Sequence, residues 1–181
     1  MEEKIKNIKA DLRANMNGVA SKRMRESGLN YHVNFGIELP KLQEIAAEYD
    51  SDNRLAQFLW NENVRESKIL AAMLMPVEHF PMDLATLWAE QIPNAEIAQT
   101  TTLFLFARLP YASELAFQWM ADQRPLLQLC GLLLVTRLLI NGNTLNERSL
   151  QEATDQAHSL VESDNLHVRR AANNLLLRIS E

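Results

Sequence analysis

The sequence predicts an all-α fold, an α-solenoid of antiparallel helix pairs, and three observations carry that prediction. Leu and Ala supply 49 of the 181 residues, while Ile and Val supply 16. That balance favours helix over strand, because β-branched side chains lose rotamer freedom against the preceding helical turn. Glycine is scarce, with 5 residues, so the tight hairpins of a β-sandwich have little to form from. Proline falls between apolar runs, at Pro40, Pro76, Pro81, Pro93, Pro110 and Pro125, where it marks joints instead of breaking helix interiors.

The elements follow in order. Helices are expected over 2–15 and 17–27, then over 40–49 behind Pro40. The next two span 53–61 and 64–75, with Asn63 as a candidate N-cap of the second. Pro81 opens a helix over 81–91, and Asn94 caps one over 95–108. Residues 111–122 form a helix between Pro110 and Pro125, and the most apolar segment, 125–140, forms the next. Asn141-Gly142-Asn143 is the clearest loop. Thr144-Leu145-Asn146-Glu147 fits a capping box ahead of a helix over 146–162. Asn165 caps a last helix over 166–179. No linker or low-complexity stretch intervenes, so residues 1–181 are expected to form a single repeat domain.

The later helices repeat. With Asn63, Asn94, Gln123 and Asn165 as equivalent starts, the intervals are those of helical repeats. Positions seven, ten and eleven beyond each start form a nearly continuous apolar stripe, from Leu70, Met73 and Leu74 to Ala172, Leu175 and Leu176, expected to be the inter-repeat core. Position five reads Lys68, Gln99, Gln128 and Arg170, and position eight reads Ala71, Thr102, Gly131 and Asn173. In a stack of pairs this small, polar face lines the concave groove; by periodicity alone it is equally the solvated side of each helix.

Chemistry-bearing motifs are few. Cys130 is the single cysteine and sits among leucines, so it reads as a small buried hydrophobe. His32, His79, His158 and His167 have no metal-ligand spacing, so no metal is expected. No phosphate-loop, dinucleotide or hydrolase motif occurs, and no cofactor is expected. Trp60, Trp88 and Trp119 have apolar neighbours at helical spacing and read as packing residues. Arg65, Glu66 and Lys68 read as a solvated face. The amino terminus has no apolar signal segment and the longest apolar run is too short to span a bilayer, so a cytoplasmic protein without membrane contact is expected.

Charge is uneven within a formal net of −5. Residues 1–25 carry 7 basic against 3 acidic side chains, and residues 26–96 carry 4 against 12. The basic amino-terminal pair, with Lys22 and Arg23, is the best phosphate-contact candidate, and the acidic segment repels a phosphate backbone.

Three stretches bring a family into view. Phe35-Gly36-Ile37-Glu38-Leu39-Pro40, then Leu55-Ala56-Gln57-Phe58-Leu59-Trp60 with Glu66 and Leu70-Ala71, then Val168-Arg169-Arg170-Ala171 resemble segments of the HEAT-like helical-repeat DNA alkylation repair family, which includes alkylpurine DNA glycosylases. The resemblance implies stacked HEAT-like pairs whose concave face meets DNA. It places the family's catalytic aspartate at Gln99, its preceding tryptophan at Ala95, its second aromatic at Asn174 and its arginine near Gln128. A neutral amide cannot stabilise a developing oxocarbenium ion or activate water as a carboxylate does. Glu96, three residues earlier, points about 60° away around the helix. No catalytic residue is therefore expected, and the implied role is non-catalytic DNA binding through Lys68, Gln99, Gln128, Arg169, Arg170, Lys22 and Arg23. The alternative is a protein–protein interaction module whose groove holds a protein partner.

Overall fold

A computed structural model describes residues 1–181, and all its regular elements are helical. Eleven α-helices follow one another: α1 (Glu2–Ala14), α2 (Gly18–Glu26), α3 (Leu39–Ala47), α4 (Asn53–Asn61), α5 (Arg65–Leu74), α6 (Met82–Glu90), α7 (Ala95–Phe104), α8 (Ala112–Met120), α9 (Pro125–Ile140), α10 (Glu147–Leu160) and α11 (Leu166–Ile179). The chain divides into two compact units, Met1–His79 and Phe80–Glu181.

The first unit is organised around α5. Helix α4 turns back onto it through a three-residue connection, and α3 packs on it as well. Leu55, Leu59 and Trp60 of α4 and Ile69 and Leu70 of α5 lie out of water, each such side chain contributing about 1.5–3 kcal/mol by leaving solvent. The segment before α5 also pairs with the loop before α3, in an isolated parallel bridge between Val33 and Val64.

The second unit is organised around α9, which is apolar on nearly every face because neighbours surround it. Helices α6, α7, α8 and α11 all pack on it, and α10 packs on α11. The second helices α7, α9 and α11 thus follow one another side by side, as stacked pairs require. Gly131 makes the α8–α9 approach possible. A Cβ there would stand 2.5 Å from the Met120 amide nitrogen and 2.7 Å from the Ala116 carbonyl oxygen. Four aromatic rings fill the space between α6, α8 and the turn after α7. Phe80 meets Trp88 edge-on at 4.9 Å, and Phe106 meets Trp119 at 5.0 Å. Such pairs add about 0.5–1.5 kcal/mol beyond their buried area.

Several expectations need correction. The helix read over 95–108 stops at Phe104, where Leu105 leaves helical geometry (φ −128°, ψ −65°) and a 3₁₀ turn covers Phe106–Arg108. The break lets Leu105 and Phe106 both be wholly buried. Thr144 does not cap α10. Asn146 does, its side chain accepting from the Ser149 amide at 2.8 Å, because the helix begins two residues later than the capping-box pattern implies. Asn63 is likewise not a cap, since Val64 holds that position ahead of α5. Asn94 and Asn165 cap α7 and α11 as expected. Most of the apolar stripe is core: Leu70, Leu74, Thr101, Leu105, Cys130, Leu134, Ala172 and Leu175 are buried, while Met73, Phe104, Leu133 and Leu176 are half-buried. The small position beside it is not a groove surface in three repeats of four, because Ala71, Thr102 and Gly131 are buried as well and only Asn173 is exposed.

Candidate nucleic-acid interface

The expected groove side chains sit on the second helices, and most are tied to the turn that precedes them. Lys68 is half-buried. Its ammonium donates to the Trp60 carbonyl at 2.6 Å and lies 4.8 Å from the centre of the Trp60 ring. Burial lowers its pKa, since a partly desolvated ammonium is less easily kept charged. Gln128 Nε2 donates to the Asp122 carbonyl at 2.7 Å, and Arg169 Nη1 donates to the Ser163 carbonyl at 2.5 Å. In three helix pairs, then, a side chain from the first turns of the second helix satisfies a carbonyl at or just after the end of the first, which those carbonyls need for want of an intrahelical partner. Gln99, the remaining position five, is exposed.

The remaining cationic candidates, Arg170, Lys22 and Arg23, are exposed. Arg170 extends from α11, and Arg23 from α2. Lys22 makes only a loose contact with Glu26, at 3.8 Å between two exposed side chains, which contributes little in water. At the positions where the family resemblance places catalytic groups, Ala95 is buried at the start of α7, while Gln99 and Asn174 are exposed. Trp60, Trp88 and Trp119 are each at most 2% exposed, so none of them offers a face to a base.

Arg65 and Glu66 depart most from the sequence reading. The pair does not form a solvated face; Glu66 is wholly buried and Arg65 nearly so. Glu66 Oε2 accepts from the Phe35 amide at 3.1 Å and Oε1 from the Ile37 amide at 3.2 Å. Arg65 Nη1 donates to Glu66 Oε1 at 2.9 Å and to the Ile37 carbonyl at 2.8 Å. The carboxylate therefore gathers two backbone amides of the Phe35-Gly36-Ile37 loop and one guanidinium, the compensation a buried charge requires. Between those amides, Gly36 adopts φ +71°, and a Cβ there would stand 2.2 Å from the Asn17 carbonyl oxygen. Only glycine fits both the conformation and the approach. The segment that resembled a family motif is a clamp joining α5, the loop and the start of α2.

A cleft of ≈ 270 Å³ in the first unit is lined in part by Lys9, Arg13, Phe35, Glu62 and Ser67. Lys9 pairs with Glu62 at 2.6 Å, and Ser67 donates to Glu62 at 2.8 Å, while Arg13 is exposed. Nothing in the sequence placed these residues together, because the three segments are far apart in the chain. The four histidines are exposed, and no group of His, Cys, Asp and Glu could hold a metal ion. No helix is long and apolar enough to cross a membrane. Cys130 is buried, which pushes its thiol up to about 12 and keeps it neutral and unreactive.

These features meet in comparisons with known proteins. One solved structure, from a family of proteins related to the HEAT-like repeat DNA glycosylases with affinity for branched DNA structures, matches with a TM-score of 0.86 at 14% identity. The match covers 97% of this chain and 75% of that one, and shows a common HEAT-like repeat fold. No curated protein matches the chain by sequence. The profile of the family described as DNA alkylation repair enzyme matches residues 8–180, nearly the whole sequence. The chain belongs to the DNA alkylation repair enzyme family.

Proposed function

We propose that the protein binds DNA, branched DNA included, through its exposed cations and does not release alkylated purines. Family membership and the branched-DNA affinity of the structural relative support the DNA half. The observation that carries the other half is Gln99, an exposed amide on α7 where the family resemblance asks for an aspartate. Without that carboxylate, the positive charge developing on the sugar has no stabilising partner at this position, and Ala95 and Asn174 supply no aromatic face beside it. General acid–base help is worth about 10²–10⁴-fold, so its loss leaves little reaction.

Arg170, Lys22 and Arg23 contact phosphates in this reading, while Lys68, Gln128 and Arg169 hold the turns that shape the surface. Gln99 remains available to a sugar or base edge. Two measurements test it. Base release from methylated DNA is expected at the buffer rate; release well above it, abolished by Gln99→Ala or Glu96→Gln, overturns the non-catalytic half. Titration with duplex and four-way-junction DNA at roughly 50 and 200 mM salt is expected to show affinity falling steeply with salt, because bound phosphates release counterions. No binding at the lower salt overturns the DNA half and leaves a protein partner as the occupant.

A further inference from the structure

We propose that the turn between α1 and α2 is an apolar wedge for an unstacked step in branched DNA, with Arg13, Lys22 and Arg23 holding the phosphates beside it. The inference rests on the DNA-binding reading above and names the element that would distinguish a branch from a duplex. Met16 lies in the turn and Val19 in the first turn of α2, and they are 63% and 64% exposed, among the most exposed large apolar side chains of the chain. Val19 shares one face of α2 with Lys22 and Arg23, three and four residues on, and all are exposed. Arg13 closes α1 one turn before Met16 and is exposed too.

The turn is held, which separates it from an ordinary loop tip. The Asn17 amide donates to the Phe35 carbonyl at 2.7 Å, and its side chain caps α2 by accepting from Ala20 at 3.0 Å. Ser21 Oγ donates to the Asn34 carbonyl at 2.9 Å. The loop that receives these bonds is the one clamped by buried Glu66, with Gly36 in backbone contact with Asn17. Two apolar side chains are thus presented to water on a rigid support, so little ordering entropy remains to be lost on binding.

The chemistry fits a branch point. A continuous duplex hides its base faces by stacking, whereas a branch exposes them, and apolar side chains inserted between base steps replace the lost stacking. Flanking cations match the phosphates on both sides of such a step. Glu26 is the one carboxylate on this face of α2, and it is exposed to solvent.

The test uses the full chain, a four-way junction and a linear duplex of the same sequence, each carrying a fluorescent aminopurine at the central step. Met16→Ser with Val19→Ser changes only exposed side chains, and an unchanged thermal melt verifies the fold. The wild-type chain is expected to bind the junction about tenfold more tightly than the duplex and to raise its aminopurine signal, as insertion between base steps does. The double variant is expected to lose that preference and that signal while keeping its duplex affinity. Arg13→Ala, Lys22→Ala and Arg23→Ala together should weaken both DNAs and reduce the salt slope by about 2–3. A double variant that keeps junction preference and signal overturns the wedge while leaving DNA binding intact. Absence of binding to either DNA at low salt overturns the underlying reading instead. Sedimentation with phosphatidylserine vesicles that depends on Met16 and Val19, alongside unaltered junction binding, assigns the turn to a membrane surface and overturns the wedge.

Discussion

Glu66 and Ile37 are joined out of water, the carboxylate Oε1 accepting from the Ile37 amide at 3.2 Å while Arg65 spans the same carboxylate and the Ile37 carbonyl. Removing the carboxylate takes the acceptor from two backbone amides and the counter-charge from a buried guanidinium. Glu66→Ala is therefore expected to lose about 3–5 kcal/mol of stability, the usual cost of breaking a buried pair. Glu66→Gln, which keeps an acceptor for one amide, should lose less. Urea unfolding of both variants checks this, and losses below 1 kcal/mol in each would contradict the clamp.

Two glycines should prove far less replaceable than the others. Gly36→Ala forces a methyl into the Asn17 backbone from a positive φ, and Gly131→Ala forces one into the backbone of α8. Each is expected to cost several kcal/mol, since backbone cannot yield as a flexible side chain does. Gly28 and Gly142 also have positive φ but nothing within 4 Å of the added atom, so alanine there should cost only about 1 kcal/mol. Melting temperatures of the four variants should fall into those two groups.

Lys68 and Arg170 hold equivalent positions in the repeat but should behave differently. Lys68→Ala unties the Trp60 carbonyl and uncovers the ring, so it is expected to cost about 1–2 kcal/mol and to shift tryptophan emission. Arg170→Ala, on an exposed side chain, should leave stability within about 0.5 kcal/mol. Its effect should fall on the salt dependence of DNA binding, by about one phosphate contact. Equal stability losses in the two variants would refute this division.

Alkaline pH should act on two buried or half-buried acids. Tyr49, held by burial and by donating to Asp11 at 2.7 Å, is pushed up to about 12, as is the Cys130 thiol. Both folded pKa values lie above the unfolded ones, so the stability each contributes is complete below about pH 9 and falls as pH rises towards 12. Tyr49→Phe is expected to be less stable by about 1 kcal/mol at neutral pH and to show a flatter alkaline decline. Thiol alkylation of Cys130 should be negligible until the chain unfolds; rapid labelling of the native protein at pH 8 would refute its burial.

The sequence alone determined the succession of helices and most of the core stripe. Leu-rich periodicity, proline at the joints and asparagine caps at Asn94 and Asn165 act over one or two helical turns, and local spacing reports them faithfully. The absence of a carboxylate at Gln99 was equally legible, because it depends only on which residue stands there. Tertiary structure decided the rest. Lys68, Gln128 and Arg169 are strapped to carbonyls six to eight residues behind them, and Arg65 with Glu66 is buried by a loop some thirty residues away. A charge is solvated or buried according to what folds over it, and helical periodicity carries no information about that distant cover. The same reason hid the α1–α2 turn. Only the bonds from Asn17 and Ser21 to the clamped loop show that Met16 and Val19 are held out to solvent.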